Sequence, residues 1–215
     1  RSVLVLERKA ETGGAAVSFR AFPGVDVRLS RYSYLVSLLP RKIVADLGLA
    51  VDVRRRRISS YTPVGSSGLL VDTGDSGRTA SSFQRLTGGS ADFAAWQRFY
   101  AMTAAVAERV FPTLTEPLPS KETLRSAVGE EAWRVLFTEP LSVGVEESFA
   151  DNTVRGVVST DALIGTFAPV DDPRLRQNRC FLYHVIGNST GDWDVPVNGM
   201  GAVTGELARA ARDAG

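Results

Sequence analysis

The chain has 215 residues, of which 44% are hydrophobic and 23% charged, a globular composition with enough length to bury a sizeable core. Its net charge of +1 at pH 7 gives no overall field that would attract nucleic acid or an anionic membrane. The single cysteine, Cys180, excludes an intramolecular disulfide and favours a reducing compartment. No apolar run approaches the roughly 20 residues of a membrane-spanning helix, so we expect no integral membrane segment and a cytoplasmic location.

The opening stretch, "RSVLVLERKAETGG", combines an apolar run, an acid and a glycine pair. Residues 3–6 are typical of a strand buried on both faces of a parallel sheet. Glu7 ends this run, where the carboxylate of a dinucleotide-binding fold accepts hydrogen bonds from ribose hydroxyls. Gly13 and Gly14 would let a pyrophosphate approach the backbone, because they carry no Cβ. Each feature alone is common, and a purely structural turn is the alternative interpretation.

The rest of the chain shows first mixed and then helical patterns. The predicted helices are residues 40–47, 90–112, 130–137, 154–164 and a closing helix that ends at Gly215. The predicted strands after the opening one are residues 51–58, 68–72, 180–186 and 192–197. Apolar residues recur at helical spacing between Ser90 and Pro112, and this stripe could line a substrate cavity or form ordinary core packing.

The opening stretch as a whole is more specific than its parts. The string "VLVLERKAETGGAA" resembles the second half of the amine-oxidase-type FAD fingerprint, in which a strand ends in Glu and Gly-Gly follows the basic residues. The longer stretch "SVLVLERKAETGGAAVSFRAFPGVDVRLSRYSYLVSLLPRKIVADLGL" is most similar to phytoene-desaturase-like FAD-dependent oxidoreductases, especially the group named for a pyridine nucleotide-disulphide oxidoreductase domain. The segment "VPVNGMGAVTGELARAARDAG" resembles the glycine-rich turn and helix by which such chains return to the FAD lobe.

The resemblance implies FAD as cofactor and assigns residues to it. Glu7 would bind the adenosine ribose, and Arg8 or Lys9 would flank the adenine or the pyrophosphate. Gly13 and Gly14 would pass near the pyrophosphate. These five residues therefore form the first part of the expected cofactor site.

Two further positions complete the expected site. Ala15 stands where many amine oxidases carry an arginine against the cofactor, which argues against an ordinary amine oxidase. Residues 30–34, with Tyr32 and Ser33, match the region that approaches the flavin ring, although relatives often have a Gly-Gly pair there.

The fold implied by the resemblance is α/β (α+β), with part of a Rossmann-like FAD-binding lobe and a largely helical substrate domain that includes some strands. We expect a partial FAD lobe at residues 1–50, a substrate domain at 51–195 and the return to the FAD lobe at 196–215. In such proteins a first strand and a G-x-G-x-x-G turn come about 20 residues earlier. The start at Arg1 and the end at Gly215 therefore indicate an internal fragment.

The implied function is hydride transfer from a small apolar or amphipathic substrate to the flavin, as in a dehydrogenase or desaturase. Neither the residues nor the resemblance names a catalytic acid or base, and the oligomeric state stays open. The alternative is a non-catalytic binding module or an inactive fragment. We also expect the fragment alone to bind FAD weakly or not at all, because the helix N-terminus of the missing first turn should hold the pyrophosphate.

Two glycine-containing motifs favour other functions. "GNSTG" at 187–191 has the outline of a nucleophile elbow, and a serine hydrolase would use Ser189. The only histidine, His184, comes just before it, so the usual order of a triad is not met, and we interpret the motif as a loop. "GMGAVTG" at 199–205 resembles a second dinucleotide turn, but return to the FAD lobe or close backbone packing explains it better.

Charged motifs give no further site. "RRRR" at 54–57 could bind phosphate or nucleic acid, but its strand-like setting near Asp52 favours a solvent-exposed edge strand. "DTGDSG" at 72–77 lacks the ligands of a calcium loop, and no cluster of cysteine and histidine predicts a metal site. We therefore expect neither a nucleic-acid partner nor a metal.

Overall fold

The computed structural model describes residues 3–215 and divides into two compact units. The first unit consists of the described residues up to Arg55 together with Trp193–Gly215, and the second is Arg56–Asp192. Arg1 and Ser2, where the sequence predicts the truncated start of a strand, lie outside the described residues.

The elements follow one another along the chain as short strands, then helices, then one strand and a closing helix. They are β1 (Ser18–Arg20), β2 (Arg28–Ser30), α1 (Arg41–Asp46), β3 (Val53–Arg55), β4 (Ile58–Val64), β5 (Ser67–Asp72), α2 (Ser76–Thr87), α3 (Ala91–Val110), a 3-10 turn (Phe111–Thr115), α4 (Lys121–Val128), α5 (Glu130–Trp133), a π-helical turn (Arg134–Thr138), α6 (Leu141–Ser148), α7 (Asn152–Leu163), α8 (Arg176–Val185), a 3-10 turn (Gly187–Ser189), β6 (Asp194–Pro196) and α9 (Met200–Asp213).

The strands form three two-stranded antiparallel sheets: β1 with β2, β3 with β6, and β4 with β5. β1 and β2 bring Ser18 opposite Ser30, and β3 and β6 bring Val53 opposite Pro196. Together with the long helices, these sheets confirm the α+β class. The parallel sheet of a Rossmann-like lobe is not formed by the strands that the structure describes.

The second unit is built around one apolar cluster, to which β5 and helices α2, α3, α5, α6, α7 and α8 contribute. Aromatic rings hold its centre, and the Phe99 ring centroid lies 5.5 Å from that of Phe149 and 6.0 Å from that of Phe181 in edge-on arrangements. Phe99 and Val106 of α3 are buried in this cluster. The stripe of the 90–112 helix therefore forms core packing at these positions.

The π-helical turn at Arg134–Thr138 is held by a buried amide from α8. Asn178 Nδ2 donates to Glu139 O at 2.8 Å and lies 3.2 Å from Val135 O. Asn178 Oδ1 accepts a hydrogen bond from the backbone N–H of Leu141 at 3.0 Å. The wide turn frees backbone groups, and this one side chain binds several of them.

Residues 3–6 do not form the buried strand that the sequence predicts. Their side chains are 82% to 84% exposed, and the segment has no regular secondary structure. A strand buried on both faces needs partner strands and covering layers. Among the described residues no strand pairs with this segment, so its apolar side chains have nothing to pack against.

Residues 180–186 belong to helix α8 rather than to the predicted strand. The aromatic and β-branched residues of "CFLYHVI" favour a strand locally. Gln177, Phe181, His184 and Val185 are nevertheless buried and lie at helical spacing. Burial of this stripe against the second unit's core decides the conformation, because a strand would turn alternate residues away from it.

No helix among residues 3–215 combines the length and the apolar character that crossing a membrane requires.

Candidate functional site

A polar junction in the first unit joins the first turn of α9 to strands β1 and β2. The N–H of Gly201 donates to Ser18 Oγ at 2.8 Å, and the N–H of Met200 donates to Ser30 Oγ at 2.9 Å. Ser18 Oγ donates in turn to Asn198 O at 2.7 Å. The two serines are paired across the β1–β2 register, so one pair of hydroxyls satisfies amides that the helix itself leaves unbonded.

The glycines of "GMGAVTG" permit this close approach. A Cβ at Gly199 would lie 2.5 Å from Ser18 Oγ and 2.7 Å from Ser30 N, and Gly199 has a φ of +75°. A Cβ at Gly201 would lie 2.8 Å from Ser18 N. Both positions therefore exclude a larger residue. The amides of Met200 and Gly201 already bind serine hydroxyls, so close packing accounts for the motif without a second nucleotide.

The Gly13–Gly14 turn lies against the same helix. Gly13 has a φ of +124°, and a Cβ there would lie 2.7 Å from Ala16 O and 2.9 Å from Thr204 Oγ1. Thr204 Oγ1 donates to Ala16 O at 3.0 Å, which fixes the turn to α9. Gly14 has a φ of +56°, is exposed, and has no atom within 4 Å of the position of a Cβ. Packing requires Gly13, whereas Gly14 leaves open space beside the backbone.

The backbone brings two other predicted site residues together. The N–H of Ser33 donates to Ala15 O at 3.1 Å, and the N–H of Arg31 donates to Val17 O at 2.9 Å. The Tyr32 ring is 61% exposed, and the Arg31 guanidinium carbon lies 5.3 Å from its centroid. Residues 31–33 thus extend the β1–β2 pairing toward the glycine turn, and the Tyr32 side chain is largely exposed.

Glu7, Arg8 and Lys9 are exposed on the segment that precedes this turn. Glu7 Oε1 accepts a hydrogen bond from the backbone N–H of Lys9 at 2.8 Å, which curls the carboxylate back on its own segment. Among the described residues no hydrogen bond or ion pair joins these three side chains to the glycine turn. The structure therefore unites Gly13, Ala15 and Ser33 through contacts but does not tie Glu7 to them.

A charged contact anchors the other end of α9. Arg209 donates to Glu206 and, at 2.8 Å, to Gly48 O beyond α1, while Glu206 Oε2 accepts from the N–H of Ala50 at 2.8 Å. The Arg209 hydrogen bond, followed by that of Ala50, lowers the pKa of the Glu206 carboxyl. Both ends of α9 are thus fixed by polar contacts within the first unit.

The arrangement offers an open glycine turn, an exposed acid and two exposed bases close in sequence, which suit a ligand with hydroxyls and phosphates. No group of acidic, cysteine and histidine side chains suited to a metal ion occurs in residues 3–215. The glycine turn and the charged side chains beside it in sequence could bind and position such a ligand.

The "GNSTG" motif lacks the setting of a nucleophile elbow. It follows helix α8 instead of a strand, and a 3-10 turn at Gly187–Ser189 contains its first half. Ser189 has a φ of +62° and Asn188 a φ of +54°, so the segment is a tight turn. His184 Nδ1 is bonded to Cys180 O at 2.8 Å. A strand–turn–helix arrangement is required to present the serine, and it is absent from this described segment.

Three arginines of the run, Arg54, Arg55 and Arg57, form ion pairs with carboxylates. Arg54 Nη1 lies 2.6 Å from Asp52 Oδ1, and Arg55 Nε lies 2.6 Å from Asp194 Oδ1. Arg57 makes a two-pronged contact with Asp72, with both N–O distances at 3.0 Å. The hydrogen bond from Arg57 lowers the pKa of the Asp72 carboxyl, which is closed to solvent.

Sequence reasoning missed three residues that organise the site: Ser18, Ser30 and Thr204. Their hydroxyls bind backbone groups distant in the chain, in contacts that no local pattern encodes. The only sequence signal is indirect, since the small residues of "NGMGAVTG" indicate a close backbone approach without naming its partner.

Comparison with known proteins gives two groups of relatives. Uncharacterized proteins of Mycobacterium tuberculosis and Mycobacterium bovis are each 48% identical over 220 residues, covering 97% of this chain and 41% of theirs. A rat protein named pyridine nucleotide-disulfide oxidoreductase domain-containing protein 2 is 27% identical over 245 residues, covering 96% of this chain and 41% of its own. The mouse protein of that name is 26% identical over 250 residues, covering 98% and 42% respectively.

The chain therefore spans about two fifths of the length of the curated relatives it matches. The likeness to the rat and mouse proteins is a distant homology that extends over nearly the whole chain. No protein-family model and no solved structure matches the chain.

Proposed function

We propose that this chain is part of an FAD-dependent oxidoreductase of the phytoene-desaturase-like group, and that its first unit carries the ribose and pyrophosphate side of the cofactor site. The Gly13–Gly14 turn carries the proposal. Gly13 is packed against α9, while Gly14 is exposed with open space where a Cβ would stand. Support comes from the distant homology to the rat and mouse proteins, which are named for a pyridine nucleotide-disulfide oxidoreductase domain.

The residues of the turn and the preceding segment fit the polar half of FAD. Gly14 gives a phosphate access to the backbone, and Gly13 keeps the turn against α9. Glu7 would accept hydrogen bonds from ribose hydroxyls, because its second oxygen is available beside the one that binds the Lys9 N–H. Arg8 and Lys9 would offset the charge of the pyrophosphate.

Ala15, Tyr32 and Ser33 would lie on the flavin side of the site. The backbone N–H of Ser33 donates to Ala15 O, which joins the two segments at this point. The small side chain of Ala15 would leave open the space that an arginine occupies beside the cofactor in many amine oxidases. FAD, when bound, would supply the hydride-accepting ring, and the chain's task would be to orient a small apolar or amphipathic substrate and exclude water. We assign this second task to residues 51–195 as the substrate domain.

A chimera tests the proposal at the length of a complete relative. Residues 1–215 replace the matching region of the Mycobacterium tuberculosis relative, which is feasible at 48% identity over 97% of the chain. We expect the chimera to purify yellow with bound FAD. Glu7→Gln should weaken FAD binding by about tenfold, since a hydrogen bond to a charged group contributes about 1.5 kcal/mol. Flavin fluorescence titration measures both proteins.

The matched control is Glu11→Gln, which removes an equally exposed carboxylate four residues later. It should leave FAD affinity unchanged. A folded chimera that is colourless and cannot be reconstituted with FAD would contradict the proposal and favour a non-catalytic binding module. If both variants lost the same FAD affinity, only the role of Glu7 would be contradicted, and the rest of the proposal would stand. The isolated 215-residue chain should bind FAD more weakly than micromolar.

A further inference from the structure

The β1–β2 hairpin of the first unit has a packed polar face. Apolar and polar residues alternate at 17–21, "VSFRA", and again at 25–31, "VDVRLSR". Such alternation is typical of strands that bury their apolar face and turn their polar face to water. In this hairpin the polar face is the packed one, because Ser18 and Ser30 bind the first turn of α9.

The apolar side chains of the hairpin are accessible to solvent. Phe19 and Leu29 are register partners, so their side chains lie side by side on the face turned away from the serines, and each is 40% exposed. Val27, Val25 and Phe22, which follow toward the connection between the strands, are more exposed still. These five side chains form what we call the apolar hairpin surface, and a surface of this kind is typical of an interaction site.

The charged residues of the hairpin favour an anionic partner. The hairpin carries three arginines and a single acid, Asp26, which forms an ion pair with Arg20 at 3.0 Å. Arg28 is the register partner of Arg20, so like charges stand opposite each other on the two strands. Arg31 adds a third positive charge where its N–H continues the strand pairing. The hairpin therefore has an excess of positive charge beside its apolar surface.

The same sign of charge extends over the first unit as a whole. Residues 1–55 and 193–215 contain 12 basic and 8 acidic residues, which gives a net charge of +4. Residues 56–192 contain 13 basic and 16 acidic residues, a net charge of −3. The net charge of +1 for the whole chain hides this separation. Apolar area and electrostatic attraction both contribute to binding at an anionic lipid surface, and the first unit offers both.

We propose that the apolar hairpin surface docks the chain on an anionic lipid bilayer. Its aromatic and aliphatic side chains enter the boundary between headgroups and acyl chains, and the arginines of the hairpin contact lipid phosphates. The hairpin lies on the bilayer and does not span it. Docking is separate from the proposed cofactor site, because none of the residues assigned to FAD belongs to the apolar hairpin surface.

Vesicle flotation tests the docking. The 215-residue chain is mixed with phosphatidylcholine vesicles that contain about 30% phosphatidylglycerol, and in parallel with vesicles of phosphatidylcholine alone. We expect about tenfold tighter binding to the anionic vesicles, and this preference should decrease as salt is added. Amide exchange gives a second measurement on the unaltered chain. Anionic vesicles should slow the exchange of residues 17–31 and leave that of α3 unchanged.

Substitutions separate the apolar and the electrostatic contributions. The double variant Phe19→Gln/Leu29→Gln should bind anionic vesicles about tenfold more weakly, because it removes apolar area from the docked face. Its control is Phe167→Gln, which removes a fully exposed ring from the second unit and should bind like wild type. Arg31→Gln should weaken binding to anionic vesicles about fivefold, whereas Arg31→Lys keeps the charge and should bind like wild type. Circular dichroism and amide exchange of α9 verify that each variant is folded.

Several outcomes would overturn the proposal. Equal affinity for neutral and anionic vesicles, undiminished binding by the folded double variant, or unchanged amide exchange at 17–31 would each contradict docking on an anionic bilayer. A dimer that forms without lipid and is abolished in the double variant would assign the surface to a second copy of the chain. The chimera of full relative length should also bind anionic vesicles. If it does not, the surface is covered by a segment outside residues 1–215.

Discussion

The second unit buries a continuous apolar cluster, whereas the first unit is held mainly by polar contacts. The cluster draws on every helix from α2 to α8 except α4, while the buried hydrophobic side chains of the first unit, among the described residues, are Leu49 and Val203. The first unit instead uses the hydroxyls of Ser18, Ser30 and Thr204. It also leaves Phe22 and the apolar residues 3–6 exposed.

This difference indicates that the second unit supplies most of the chain's stability, whereas the polar contacts of the first unit fix the geometry of its turns. Apolar burial contributes about 25 cal/mol per Å², so most of the chain's stabilisation energy lies in the second unit. Hydrogen bonds contribute less but fix direction, which suits the ligand-binding role that we propose for the first unit. The two units should consequently respond very differently to the loss of an aromatic ring.

Removal of a central ring tests this most strongly. Phe181→Ala should lower the free energy of unfolding by about 3 to 5 kcal/mol, because the fully buried ring leaves a cavity beside Phe99. Phe22→Ala in the first unit should change it by less than about 0.5 kcal/mol, because that ring is already exposed. Urea unfolding followed by circular dichroism measures both. Comparable losses would show that the first unit has a core of its own that depends on Phe22.

A smaller effect is expected at the α9 junction. Gly199→Ala should lower the free energy of opening of α9 by about 2 to 4 kcal/mol, since alanine is strained at a φ of +75° and its Cβ would strike Ser18. Gly205→Ala, in open space on the same helix, should raise it by about 0.5 to 1 kcal/mol. Native-state amide exchange of α9 gives both values. A tolerated Gly199→Ala would refute close packing as the reason for the motif.

The smallest of the three effects concerns one hydroxyl. Ser18→Ala should lower the free energy of opening of α9 by about 1 to 2 kcal/mol, because the Gly201 N–H and the Asn198 carbonyl lose their partner. Ser90→Ala is the control, since the Ser90 side chain makes no capping hydrogen bond to α3. Native-state amide exchange measures the opening of α9 in Ser18→Ala and of α3 in Ser90→Ala. Equal losses of opening free energy in the two variants would count against a stabilising role of the serine junction.

The sequence predicted elements well wherever local pattern and burial agree. The helix predicted at 90–112 is Ala91–Val110, and the strand predicted at 68–72 is Ser67–Asp72. The buried residues of α3 recur at helical spacing, and β5 is a short, largely buried run, so in both elements the residues that pack are the ones that the pattern marks. The strand predicted at 180–186 was wrong because β-branched and aromatic residues indicate only a local preference for strand. The chain is helical there because a helix buries the stripe from Gln177 to Val185.

The site was predictable only in part, for a similar reason. The glycine pair at 13 and 14 is visible in the sequence because positive φ angles demand glycine. The partners of this turn are not visible, since Thr204 comes from the other end of the chain.

The Asn178 amide fixes the backbone geometry of the connection between α5 and α6. The π-helical turn at Arg134–Thr138 accommodates an extra residue relative to an α-helix, and Asn178 is bonded to carbonyls that this geometry frees. Were the turn to tighten, the carbonyls of Val135 and Glu139 would move relative to Asn178 Nδ2. An apolar residue of similar size would fill the space equally well in either geometry. The hydrogen bonds of Asn178 are satisfied only in the π-helical geometry, so this one buried amide selects that geometry and fixes the start of α6 relative to α5.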